Sequence, residues 1–252
     1  VVPDGAPAEV CKGETDRATH CFRKREFEWE EQTMSTPTPD VIDLLADIQP
    51  GSHLDEVRAL RPEARDNAQK SYRALFEPEN PGGVTAAERY AAATFVAGLH
   101  RQPAVTAFYA AGLRKHVQPA QVEAIEAEIS RGAVHGPYGK FPSGPLSRED
   151  KEGPIFEVSD EHRVVLGRRL PAAFEHAHLL VFRPRDASPQ ALQKLLDAGW
   201  STDDIVTLSQ LVSFLAFQIR VIAGLRALAK NSERRVAQES SLTAALASGG
   251  NL

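Results

Sequence analysis

Four side chains crowd one break in a helical pattern, and their types suit acid–base work. Tyr90, His100, Gln102 and Tyr109 all lie in the stretch from Val84 to Leu113. A tyrosine hydroxyl both donates and accepts, and a histidine titrates near neutrality. Gathered at a helix junction, these groups would bind an oxyanion or move a proton on an α-ketone-type substrate. Tyr90 and Tyr109 would serve equally as core aromatics with a tethered hydroxyl. A second constellation is Glu175-x-x-His178, with His176 inside it. That spacing sets a carboxylate and an imidazole on one helix face, as in di-metal helical bundles. Such a centre needs the motif again on another helix, and the sequence holds no second Glu-x-x-His. Glu161-His162 has the residue types without the spacing. No metal and no other cofactor is therefore expected. The only cysteines are Cys11 and Cys21, so the body of the chain cannot use a thiol of its own.

The elements that position these residues read as helices. Thr85-x-x-Glu88 is a capping box, in which hydroxyl and carboxylate satisfy free amides at a helix start. An apolar, alanine-rich helix follows through Ala91, Ala92, Phe95, Val96 and Leu99. Pro103 interrupts it, because proline lacks an N–H and disfavours helical dihedrals at Gln102. One helix should end near residues 100–102 and the next should start at Pro103. The break turns free amides and a positive dipole end toward one spot.

Upstream, Asp40 caps a short helix stopped by Pro50-Gly51, and residues 54–60 and 63–76 carry apolar residues at helical period. Downstream, Pro119 and Gly132 bracket a charged helix. Residues 132–154 are too rich in Gly and Pro for an element, and carry His135, Tyr138, Lys140 and Phe141. They read as a surface linker, or as a lid or partner-embracing arm. Helix resumes at Ser159, with a kink expected at Pro171, and ends at Pro184. Almost no strand pattern is present, and the fold class is all-α.

The central stretch recurs. With Gly83 laid on Gly199, Thr85-x-x-Glu88 falls on Ser201-x-x-Asp204, and Leu99, Gln102 and Val105 fall on Leu215, Gln218 and Val221. Ile219 stands where the first copy has Pro103, so the copies differ at the junction. Arg220 lies in the apolar run LAFQIRVIAGL. If buried it needs a carboxylate, for which Glu88 or Asp204 would serve; it would equally reach an interface.

The stretch TAAERYAAATFVAGLHR resembles the core motif of the carboxymuconolactone decarboxylase-like and alkylhydroperoxidase D-like family, and FLAFQIRVIAGL is similar to the second core of its peroxidase-related members. The resemblance covers residues 40–230. It implies a duplicated helical-bundle core, an oligomer and a peroxidase-related activity. The family's thiol peroxidases use a Cys-x-x-Cys at the junction, a later His and an earlier Glu. Those positions here are Gln102, Val105, Tyr109 and Tyr90, so the resemblance implies the fold while the residues contradict the dithiol mechanism. Two functions remain. One is an enzyme acting on a small molecule at the junction. The other is a non-catalytic structural or assembly partner of a related active protein.

Composition bounds the rest. The chain has 252 residues, 42% hydrophobic and 25% charged, with net charge −5. That balance argues against a non-specific nucleic-acid binder. No apolar run was expected to reach the roughly 18 residues of a membrane span. The expected organisation is a disordered tail or mis-assigned start over residues 1–39 and a single helical domain over 40–230, with repeats at 83–113 and 199–229. A disordered tail follows over 231–252. The expected setting is cytoplasmic, as a homo-oligomer joined through the alanine-rich repeat helices, with the 132–154 loop reaching across.

Overall fold

The computed structural model describes residues 39–248, and all of its regular elements there are helical. Cys11, Cys21 and the expectations for residues 1–38 lie outside the described residues. The order is α1 (Val41–Ala46), α2 (His53–Ala59), α3 (Pro62–Phe76), α4 (Ala86–Leu99), α5 (Pro103–Leu113), α6 (Pro119–Gly132), α7 (Asp160–Leu166), α8 (Arg169–Phe182), α9 (Pro189–Asp197) and α10 (Thr202–Ser248).

Helix α4 is the axis of the bundle. Its capping box forms as the sequence dictates: Thr85 Oγ1 accepts from Glu88 N, and Glu88 accepts from Thr85 N at 2.9 Å. Ala91, Ala92, Ala93 and Ala97 are fully buried beside Phe95 and Val96. Short side chains on every face let α5, α6, α8 and α10 close around one rod. This corrects the assembly argument for α4. Its small residues are consumed inside the subunit and leave no surface for a neighbour. The helix ends where proline requires, with Arg101 in the left-handed region at φ 55 and Pro103 opening α5.

Three further expectations change. The α7–α8 break falls at Gly167, with φ 74, rather than at Pro171. Pro171 sits in the first turn of α8, where a missing N–H breaks no helical bond. With Ile219 rather than a proline at this point, α10 is unbroken and continues to Ser248 through residues expected to be a disordered tail. Ala, Leu, Arg, Glu and Gln make up more than half of that extension and favour helix, and no Gly or Pro interrupts it before Ser248. Finally, Thr202–Ser232 is long and apolar enough to cross a membrane by length and composition. Here Leu208, Leu211, Leu215 and Ile222 pack into the bundle core.

The 132–154 loop folds onto the end of α8. Tyr138 N–H donates to Phe182 O, Asp186 accepts from Lys140 N, and Arg185 lies over the Phe141 ring at 3.8 Å. Tyr138 and Phe141, the expected anchors for a neighbour, are engaged within the subunit.

One cation ties the two halves together. Arg169, at the start of α8, pairs with Glu88 at 2.6 Å and with Asp204 at 3.4 Å. The same guanidinium donates to Gly83 O at 3.2 Å and Gly199 O at 2.9 Å, and lies 4.2 Å over the Trp200 ring. Glu88 and Asp204, the carboxylates that would serve a buried Arg220, pair with Arg169 instead. Arg220 is exposed and donates to Ala216 O.

Replacing Arg169 with Met should cost about 2–3 kcal/mol. That is below the value for breaking a fully buried pair, because the side chain is 29% exposed. For a chain of this size the melting temperature should fall by about 5–10 °C. Denaturant unfolding of R169M against wild type measures this.

Candidate functional site

The junction residues divide into a sealed group and a half-open one. Tyr109 is fully buried on α5, and its hydroxyl donates to Gln218 Oε1 on α10 at 2.5 Å. Its ring stacks on Phe76 at 5.0 Å, and Phe76 also meets Tyr90 at 5.2 Å. Tyr72 stacks on Phe76 at 5.1 Å and joins the same cluster. Burial pushes the pKa of Tyr72, Tyr90 and Tyr109 up, with neighbouring tyrosines adding to the shift at Tyr72 and Tyr109. Tyr109 is therefore a fixed neutral donor at neutral pH. Val105, at the second cysteine position of the family motif, is fully buried too.

His100 and Gln102 stand apart from this cluster. His100 forms the C-cap of α4 and is half-buried. Its Nε2 is buried and has no partner among the described residues. Burial, and then the charge of Arg220, lower its pKa, so the imidazole is neutral. Gln102 caps α5 through its backbone, with Thr106 Oγ1 donating to its carbonyl at 3.0 Å, and its side chain makes no capping bond. The structure thus brings Tyr90 and Tyr109 into one aromatic cluster. His100 and Gln102 sit at the break itself.

Gln218 is the residue that sequence reasoning missed. It was visible as the counterpart of Gln102, but not as the partner of Tyr109. The signal was a lone amide on the buried stripe Leu215, Gln218, Ile222, where an apolar residue is expected.

Glu175-x-x-His178 does not converge on a shared ligand. Glu175 accepts from Val158 N at 3.2 Å and pairs with Arg163. His178 Nε2 meets Gly132 O at 3.0 Å, and its ring stacks on Phe156 at 4.8 Å. The intervening His176 is 6% exposed. Ser209 spends its proton on Ile205 O at 2.8 Å, so its oxygen accepts from His176 Nε2 at 3.2 Å. That leaves His176 Nδ1 as a buried acceptor without a partner.

Both histidines line a cavity of about 320 Å³, bounded by α8, the start of α9 and the segment holding Ile155 and Phe156. Burial lowers the pKa of each. No junction residue lines this cavity.

Neither protein-family models nor curated proteins match this sequence.

If the Tyr109–Gln218 bond is a structural tie, Tyr109→Phe should destabilise by about 1–3 kcal/mol, since it strands a buried amide. The double change Tyr109→Phe/Gln218→Leu should recover part of that loss. A double-mutant cycle by denaturant melts reads the coupling.

The buried histidines set a pH response. His100, His176 and His178 have folded pKa values below 6.5, so the unfolded chain binds more protons near that pH. Their contribution is complete above pH 6.5 and is lost as pH falls from there toward the folded values. The midpoint of urea unfolding should drop between pH 7.5 and 5.5, and His176→Gln should flatten the drop. Glu128 acts in a lower window. Its pKa is lowered by His162 and Ser159 against the opposing effect of burial, and its contribution is lost only below about 4.5.

Proposed function

We propose that this chain is a relative of the alkylhydroperoxidase D-like and carboxymuconolactone decarboxylase-like proteins whose helical body carries no cysteine. In this reading it keeps a duplicated helical core and has given up dithiol chemistry. The observation that carries the reading is the convergence at Arg169. Gly83 and Glu88 from the first copy, and Gly199 and Asp204 from the second, all bind one guanidinium. Residues matched by sequence alignment of the copies are thereby matched in space.

The geometry best supports a non-catalytic role at the junction, as a structural or assembly partner of an active relative. A thiol peroxidase needs a mobile thiolate and a proton relay at these positions. Val105 and Tyr109 are instead buried, and the Tyr109 hydroxyl is held by Gln218. The second reading is a peroxidase-related or decarboxylase-like enzyme that acts on a small molecule without thiols. Half-buried Tyr90 and Gln102, with a neutral His100 imidazole whose Nε2 has no partner among the described residues, favour it.

In either reading the protein works in the cytoplasm as a homo-oligomer. With α4 enclosed, the contact moves to α10, where Val206, Phe217 and Leu228 are 55%, 48% and 41% exposed. They repeat every eleven residues and so share one helix face.

Light scattering should give a mass at least twice 27.5 kDa, and Phe217→Glu should lower it. In a dithiol-coupled hydroperoxide assay the protein should show no turnover above the blank. Thiol-independent turnover that His100→Ala abolishes would move the conclusion to the enzyme reading.

A further inference from the structure

We propose that the cavity between α8 and the start of α9 is a binding site for a small, neutral, apolar molecule of one or two rings. The proposal stands apart from the family reading, because no junction residue lines the cavity.

The cavity exists in the resting fold. Arg183 donates to the carbonyls of Gly153 and Pro154. The Val158 N–H donates to Glu175 at 3.2 Å, and its carbonyl accepts from Arg163 Nε at 3.0 Å. The segment bearing Ile155 and Phe156 is thus tied at both ends. Its ordering is complete before a ligand arrives, which favours binding. The volume, about 320 Å³, is at the small end of ligand cavities and limits the occupant to about ten non-hydrogen atoms.

The walls call for an apolar occupant. Phe156, Ala172, Leu179 and Ala191 line the space. Ile155 lines it too and is 74% exposed, a large apolar side chain that no described residue covers. A ligand seated there would take it out of water, and removal of apolar surface from water is favourable.

The polar residues of the wall call for a neutral one, because their groups are already spent within the subunit. Glu175 accepts from Val158 and pairs with Arg163. Arg183 and Asp186 pair with each other at 2.6 Å, and Asp186 also accepts from Lys140 N at 3.2 Å. Ser188 Oγ accepts from Ala191 N at 3.3 Å. His178 Nε2 meets Gly132 O, His176 Nε2 donates to Ser209, and burial keeps both imidazoles neutral. Gln190 and Lys194 are exposed, so their polar ends reach water. A charged ligand would give up its hydration and meet no partner reserved for it. A neutral apolar ligand gives up little.

The test is titration calorimetry of the full chain with anisole at pH 7.5, where a Kd of about 0.1–1 mM is expected for its eight non-hydrogen atoms. 4-Methoxybenzoate keeps the frame and adds a charge, and should bind at least about fivefold more weakly. Ile155→Asp, at the exposed mouth, should weaken anisole about fivefold, and Lys194→Gln should leave it within about twofold. Ala191→Phe, outside the buried core, should fill the cavity and abolish binding with an unchanged melting temperature. If Ala191→Phe fails to fold, Ile155→Asp carries the test of the site. Absence of binding at about tenfold the expected Kd would overturn the proposal. So would a preference for anisole over the carboxylate below fivefold, an unchanged affinity in Ile155→Asp, a larger loss in Lys194→Gln, or binding that survives Ala191→Phe in the folded protein.

Discussion

A single guanidinium between two helix starts organises this bundle. Helices α4 and α10 each begin with a capping box, and each box presents a carboxylate and a preceding glycine carbonyl. Left alone, Glu88 and Asp204 would be two partly buried anions facing one another. Arg169 satisfies both, and Trp200 covers its other face. Gly83 must lack a side chain, because a Cβ there would collide with the Asp204 carboxylate. The start of α8 is thereby fixed against the starts of α4 and α10, and the positions of the α8 side chains follow.

A second polar contact, between α5 and α10, works by closure. Tyr109 and Gln218 come from opposite halves of the chain and share one buried hydrogen bond. Proline breaks the helix in the first half. In the second, Ile219 lets α10 run through, and this places Gln218 on the buried face of an unbroken rod. The difference between Pro103 and Ile219 is what lets α10 carry Gln218 to Tyr109. It also converts a place where free amides could have met a substrate into a packed aromatic cluster around Phe76.

Helix α8 carries the polar residues that remain. Glu175, His176 and His178 are consecutive in motif but go to three destinations: a loop anchor, a helix-to-helix contact and a carbonyl cap. Only His176 is left with an unmet requirement. The loop between α6 and α7 is held by Arg183 and Arg163, so the space it encloses is a property of the resting fold. This loop wraps onto the subunit that carries it, as a surface linker, with Tyr138 and Phe141 engaged there.

Local chemistry was readable in the sequence wherever one short segment contained all the partners. The capping boxes at Thr85 and Ser201, the break at Pro103, the cap at Ser188 and the all-α class needed only neighbours within a turn. So did the lack of a breaker at Ile219, whose consequence for the length of α10 was nonetheless missed. Partnerships between distant segments were not readable. Arg169 and Arg220 are both arginines near apolar runs, and only packing decides that Arg169 reaches Glu88 and Asp204 while Arg220 faces solvent. The composition of α4 allowed an interface or a core, and enclosure by four helices chose the core. Tyr109 was a candidate acid by residue type; Gln218, more than a hundred positions away, made it a fixed donor. The cavity at α8 had no sequence signature, because it is a space between elements, and its shape exists only once those elements have packed.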